Sequence, residues 1–127
     1  MRSKGRATLA AVAFFFLFAG TEDTYRHLEL DKIPADGCSY MPTHAAVEGF
    51  VASTRKQEDG DIHVKLCTEP RGAGACLVLE LIPQIPMARP KARMRIEASG
   101  IMRWDSHGGH RWWEMHPVTS WREISSE

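Results

Sequence analysis

Apolar and polar residues alternate along much of the chain between residues 44 and 118, a pattern that predicts half-buried β-strands. The alternating runs place strands at 45–54, 62–67, 76–81, 93–105 and 111–118. Three prolines, Pro83, Pro86 and Pro90, lie between the third and the fourth run. Because proline cannot donate a hydrogen bond to a strand ladder, this segment is predicted to be a connection.

A tight turn joins the first two predicted strands. Asp-Gly between alternating runs is a strong hairpin signal, so Asp59 and Gly60 are predicted to be the two turn residues. This choice places Ser53 opposite Leu66. It also puts the apolar residues of both strands on one face, as expected for a half-buried pair. The predicted inner face holds Val47, Gly49, Val51, Ile62, Val64 and Leu66.

The second hairpin carries the cysteine prediction. Pairing Cys67 with Cys76 aligns the apolar residues of both strands on the inner face and places His63 opposite Glu80. The same register makes the two cysteines direct cross-strand neighbours, so a Cys67–Cys76 disulfide is predicted, with two reduced and packed thiols as the alternative. Cys38 is then the remaining thiol.

A third hairpin is centred on Gly108 and Gly109. This turn pairs Trp104 with Trp113 and Met102 with Met115 on the inner face, and Arg103 with Glu114 on the outer face. A three-strand meander, a longer connection and a final hairpin match the strand order of an OB-fold. The predicted fold is therefore all-β, a five-stranded, OB-fold-like Greek-key barrel over residues 44–120.

The segments outside the barrel have different compositions. Three basic residues precede an apolar stretch from Ala7 to Gly20, which is the layout of a secretory signal. Residues 1–20 are therefore predicted to be a signal peptide or an uncleaved membrane anchor, and the protein to be exported to the periplasm or secreted. Residues 21–43 are predicted to be an extended lead-in with one short helical turn, and residues 121–127 a tail.

Two short motifs carry a resemblance to a known group. They are Gly60-Asp61-Ile62-His63 and Trp113-Glu114-Met115-His116-Pro117-Val118. The stretch from Val47 to Val118, about 72 of 127 residues, resembles small exported bacterial proteins with an OB-fold-like domain and no assigned activity. The resemblance implies a fold rather than a reaction.

The charge balance limits the choice of partner. The chain holds 16 basic and 16 acidic residues, but the first 20 residues contain three basic residues and no acidic one. The remaining 13 basic and 16 acidic residues give a net charge of −3. A mildly acidic domain lacks the broad positive field of non-specific nucleic-acid binding, so nucleic acid is not the expected partner. Single-stranded nucleic acid is kept as an alternative because Trp112 faces outward and four basic residues lie between 89 and 95.

Polar residues on the outer face are the candidate ligand-binding residues. They are His63, Glu80, Arg103, Trp112, Glu114 and His116. No P-loop, GxSxG, HExxH or CxxC motif is present in the sequence, so no catalytic residue is assigned. The leading hypothesis is a non-enzymatic binding module for a small ligand or a protein partner, which contacts a membrane only through its N-terminal segment.

Six histidines in a short chain also suggest a metal site. At the tip of the third hairpin, Asp105, His107 and His110 offer three ligands of the kind found in open zinc sites. A zinc-dependent hydrolase or nuclease-like domain is therefore the alternative function. Otherwise no cofactor is expected.

Overall fold

A computed structural model describes residues 25–125 of the chain. The predicted signal or anchor at residues 1–20 lies outside the described residues. Among residues 25–125, no helix has the length and apolar character needed to cross a membrane.

Six strands and two short 3-10 helices make up the described chain. The strands are β1 (Arg26–Leu28), β2 (His44–Lys56), β3 (Ile62–Cys67), β4 (Cys76–Leu81), β5 (Arg95–Asp105) and β6 (Trp112–Glu123). The 3-10 helices cover Leu30–Lys32 and His107–Gly109. The connection from residue 82 to residue 94 contains no strand, as the three prolines predict.

Five of these strands form a closed barrel. The long strand β2 pairs with β5 through its first half and with β3 through its second half. The strand order is β2-β3-β4-β6-β5, and the pairing of β5 with β2 completes the ring. A parallel pairing of β4 with β6 joins the two hairpins. The predicted all-β, five-stranded OB-fold barrel is confirmed.

The barrel interior holds the hydrophobic core. Val47, Val51, Val64, Leu66 and Met115 are fully buried, and all of them come from alternating positions along their strands. This alternation follows from the two-residue period of a strand, which sends successive side chains to opposite faces. The inner faces predicted from sequence therefore match the buried residues.

The register of the first hairpin differs from the predicted one. Lys65 lies opposite Ser53, and Leu66 lies opposite Val51, because a β-bulge at Ala52 shifts the pairing. The turn contains three residues, with Gly60 at φ 92°, in place of the predicted two-residue Asp59-Gly60 turn. A three-residue loop with a left-handed glycine is a common hairpin connection. The bulge returns the apolar residues to the interior, which is why the predicted inner face is correct although the pairing was wrong.

The other two hairpins have the predicted registers. His63 lies opposite Glu80, and a disulfide joins the neighbouring pair Cys67 and Cys76. In the last hairpin, Met102 pairs with Met115, Arg103 with Glu114, and Trp104 with Trp113. Cys38 is the exposed free thiol among the described cysteines.

The segments that flank the barrel are more ordered than the sequence indicates. β1 pairs in parallel with β2, so the lead-in adds a sixth strand to the sheet. β6 continues five residues beyond Val118, and its last residues pair with β5 up to Glu123 opposite Ile96. The strand therefore extends past residue 121, where the tail was predicted to begin. Pairing with the long β5, rather than local propensity, orders these residues.

Candidate functional site

A polar groove of about 390 Å³ lies on the outer surface of the barrel. Residues of β3, β4, β5 and β6 line it, together with the β2–β3 and β5–β6 loops. The lining side chains are Gln57, Asp59, Asp61, His63, Glu80, Arg103, Asp105, His107, Glu114 and His116. In OB-folds, ligands bind on the face of the second and third barrel strands, between the first and the last hairpin loops. The groove occupies this position, since β3 and β4 are the second and third barrel strands.

Glu80 lies at the centre of the groove and contacts two histidines. His63 Nε2 is 2.8 Å from Glu80 Oε1, and His116 Nδ1 contacts Glu80 Oε2. In each contact the imidazole N–H donates and the carboxylate accepts, because an ionised carboxylate has no proton to donate. Glu80 is 7% exposed, so these two contacts replace most of the water that its charge loses on folding.

Glu114 is the second buried carboxylate of the groove, at 5% exposure. Its nearest ion-pair partner is His116 Nδ1, at 3.5 Å from Oε1. Burial raises the pKa of Glu114, the negative charges of Glu80 and Asp105 raise it further, and His116 partly opposes the shift. The sequence predicted Glu114 to lie on the outer face opposite Arg103, and the strand register places it there. The sequence did not show that the groove walls would bury it.

Asp61 adds a third carboxylate from the β2–β3 loop. The loop fixes its backbone, because the Asp61 carbonyl accepts a hydrogen bond from Gln57 N at 2.7 Å and its amide donates to Asp59 Oδ1 at 3.0 Å. One donor atom each from Asp61, Glu80 and His116 lie within 4.8 Å of one another. Sequence reasoning did not select Asp61, although it stands within the Gly60-Asp61-Ile62-His63 motif.

The predicted metal ligands at the hairpin tip form a different arrangement. His110 Nδ1 is 2.8 Å from Asp105 Oδ2, and His107 donates its backbone N–H to Asp105 Oδ1 at 2.9 Å. These hydrogen bonds lower the pKa of Asp105. Within residues 25–125, the tip trio is not among the groups whose donor atoms lie within 4.8 Å of one another. Asp105 instead closes the β5–β6 loop by bonding to its own neighbours.

A second groove of about 560 Å³ adjoins the first and shares Gln57 and His63 with it. Trp112 is 40% exposed here and stacks on His110 with ring centroids 4.0 Å apart. Arg55 and Lys65 also line this groove. The predicted outward orientation of Trp112 is therefore correct.

The polar groove depends on how closely β6 packs against β5. A Cβ atom at Gly100 of β5 would lie 2.7 Å from Met115 Cγ and closer still to the carbonyl oxygen of Pro117. Only glycine permits this approach, because real Cβ atoms do not come so near to other heavy atoms. Residues 115 and 117 flank His116, so Gly100 helps to set the position from which His116 reaches Glu80.

The groove residues together provide acceptors and exchangeable protons. Glu80, Glu114 and Asp61 present carboxylate oxygens, and His63 and His116 present imidazole nitrogens. Arg103 lines the groove, yet among residues 25–125 it forms no ion pair within 4.0 Å. Such a set can bind a cation or a ligand rich in hydrogen-bond donors.

Comparison with solved structures supports the fold. The asparaginyl-tRNA synthetase of Entamoeba histolytica superposes with a TM-score of 0.58 at 14% identity, covering 82% of this chain and 24% of that chain. A Leishmania major protein described as an aspartyl-tRNA synthetase gives a TM-score of 0.58 at 10% identity, covering 87% of this chain and 23% of that chain. This chain thus spans about a quarter of the length of either protein, and the likeness shows the OB-fold alone.

No protein-family model and no curated protein matches the chain. Of the resemblance to small exported bacterial proteins, the OB-fold is supported by the solved structures, and the rest stays a prediction.

Proposed function

We propose that the protein is an exported OB-fold binding module that holds its ligand in the polar groove between the β2–β3 and β5–β6 loops. The ligand class is one that brings positive charge or several hydrogen-bond donors. The observation that carries the proposal is the burial of Glu80 and Glu114 side by side in this groove. They are the buried charged residues of the part of the chain that the structure describes.

Two adjacent buried carboxylates are costly for a small domain. Each loses hydration on folding, and their like charges repel. Two histidines offset this for Glu80, whereas within residues 25–125 the ion-pair contact of Glu114 is the longer one with His116. Natural proteins retain such unfavourable groups mainly where activity needs them, because stability is traded for function at binding sites.

The first experiment replaces Glu114 by Gln, which keeps the shape and removes the charge. We expect the Glu114→Gln variant to unfold at a higher temperature than the wild type at neutral pH in EDTA. The exposed loop residue Glu58 provides the control, since Glu58→Gln should leave the midpoint unchanged. A lower midpoint for Glu114→Gln would identify Glu114 as a structural tie and would contradict the proposal.

Export is supported by the basic and apolar N-terminal pattern together with the Cys67–Cys76 disulfide, since disulfides persist in oxidising compartments. Fusion of residues 1–24 to a reporter enzyme that folds only outside the cytoplasm tests this part. Export is supported if the fusion with the natural segment is active and a fusion with Asp at positions 14–18 is inactive. An inactive fusion with the natural segment refutes it.

Single-stranded nucleic acid is a second candidate, favoured by the groove around Trp112. An exposed indole in the same groove as Arg55 and Lys65 matches the combination of stacking platform and positive charge used for single strands. Binding of an oligothymidylate should weaken steeply with salt, and Trp112→Ala should remove about 1–3 kcal/mol of affinity. Absence of binding at low salt would eliminate this candidate.

A further inference from the structure

We propose that Asp61, Glu80 and His116 bind a divalent metal ion of the zinc class in the polar groove. This inference rests on the proposed function and deepens it, because it names the cation that the groove holds. The three residues come from the β2–β3 loop, β4 and β6, so the site exists only in the closed barrel.

The donor atoms are near the spacing that a metal needs. In a tetrahedral site with bonds of about 2.1 Å, ligand atoms are about 3.4 Å apart. The donor atoms of Asp61, Glu80 and His116 lie within 4.8 Å of one another. A metal ion would take the place of the direct His116–Glu80 contact, and the backbone of each residue is already held by strand pairing or by the loop hydrogen bonds of Asp61.

The donor types select the metal. One imidazole nitrogen and two carboxylate oxygens suit zinc and similar transition ions, whereas calcium and magnesium prefer oxygen ligands alone. Three protein ligands also leave a coordination position for water or for a further ligand.

Glu114 is the second observation that points to a cation. This carboxylate is 95% buried and faces the same groove. Among the described residues, its counter-ion within 4.0 Å is His116 Nδ1, which contacts Glu80 more closely. Glu80 and Glu114, with Asp61, place three negative charges around His116. A divalent ion between them supplies the positive charge that the described residues provide only in part.

His63 supports the site from outside the ligand set. Its Nε2 donates to Glu80 Oε1 at 2.8 Å and leaves the second oxygen, Oε2, on the side of His116. Hydrogen bonds of this kind orient ligands in metal sites, and their removal typically lowers affinity about 10–100-fold.

A second set of close donor atoms in the described chain, His27, Glu48 and Glu97, is a weaker candidate. Arg95 lies 3.5 Å from Glu48, and Arg122 lies 3.1 Å from Glu97. Both carboxylates thus have a permanent cation beside them. Arginine stays protonated at all relevant pH values, so it competes with a metal ion there.

The test is titration of the full chain with Co²⁺ and Zn²⁺, following the visible absorption of Co²⁺ and the heat of Zn²⁺ binding. We expect one equivalent of metal, an absorption spectrum of a four- or five-coordinate Co²⁺ ion, and displacement of Co²⁺ by Zn²⁺. Because Glu80 and His116 are structural neighbours in the fold, the decisive variant is Asp61→Asn in the exposed loop. It should weaken Zn²⁺ binding at least about tenfold while the unfolding midpoint in EDTA stays unchanged.

Asp31→Asn is the control, since Asp31 is an exposed aspartate in a separate groove. It should bind Zn²⁺ like the wild type. The proposal is overturned if the wild type binds neither metal, if Asp61→Asn binds normally, or if Asp31→Asn loses as much affinity as Asp61→Asn. These outcomes are separate from the Glu114→Gln result in EDTA, so the metal site can fail while the proposed function stands.

Discussion

Replacing Gly100 by Ala tests whether the close packing of β6 on β5 holds the barrel and its groove together. The added methyl group would lie 2.7 Å from Met115 Cγ, 2.9 Å from Met115 Sδ, and closer to the Pro117 carbonyl oxygen. The methionine side chain can rotate away. The carbonyl belongs to the backbone of β6, so relief requires that the strand itself move.

Overpacking of a filled interior typically costs about 1–3 kcal/mol, and an obstacle on the backbone places this substitution at the upper end. A loss of about 3 kcal/mol corresponds to a fall of roughly 12–24 °C in the unfolding midpoint for a domain of this size. Alanine at the exposed Gly108 is the control, because its φ is 60° and no atom lies within 4 Å of the added Cβ. That substitution costs only the left-handed backbone penalty of about 1 kcal/mol.

Urea unfolding followed by tryptophan fluorescence measures both variants against the wild type. We expect Gly100→Ala to lose clearly more stability than Gly108→Ala at an unchanged m-value. A Gly100→Ala variant as stable as the Gly108→Ala control would refute the claim that Gly100 sets the separation of β5 and β6.

Three further predictions concern other contacts of the barrel. Replacing Cys67 and Cys76 by Ala should cost about 3 kcal/mol, because a disulfide across nine positions restricts the unfolded chain; a urea midpoint of the wild type that does not respond to reductant would contradict this. Asp105→Asn should lower the unfolding midpoint at neutral pH. The pKa of Asp105 in the folded protein lies below 3.8, and a carboxyl group with a lowered pKa stabilises the fold only while it is ionised. The difference from the wild type should therefore vanish as the pH falls through the folded pKa. A difference that persists in acid would show another cause. Trp113→Phe should cost about 1 kcal/mol, because the indole N–H donates to the Asp36 carbonyl at 2.9 Å and anchors the lead-in; an unchanged urea midpoint would show that this hydrogen bond contributes nothing.

The last two hairpins were predictable from sequence because they are local. The two-residue period fixes their register and buried face, as the pairs Cys67–Cys76 and Trp104–Trp113 show. The bulge at Ala52 was not predictable, since alternation alone does not show where a strand skips a residue. β1 and the end of β6 were missed for a related reason, because polar segments such as these become strands only through pairing with a long neighbour.

The candidate site was predicted in parts but not as a whole. Sequence reasoning placed His63 with Glu80 on one hairpin and Glu114 with His116 on another, and put all four on the outer face without a direct contact between the two hairpins. The parallel pairing of β4 with β6 joins them, and no local pattern encodes a contact between distant strands. The proximity of Asp61 to His116 depends on the same closure, so Asp61 carried no signal beyond its motif.

The parallel contact between β4 and β6 also orders the events of folding. It contains two residue pairs, Val78 with Glu114 and Leu79 with Met115, whose members are 36 positions apart (78 to 114) in the chain. Both hairpins that it joins are short-range and can form first, whereas this contact requires closure of a long loop. We therefore expect the meeting of Glu80 with His116 to be a late step. Newly synthesised chains would acquire a complete groove only once the barrel has closed, so ligand capture would mark the finished fold.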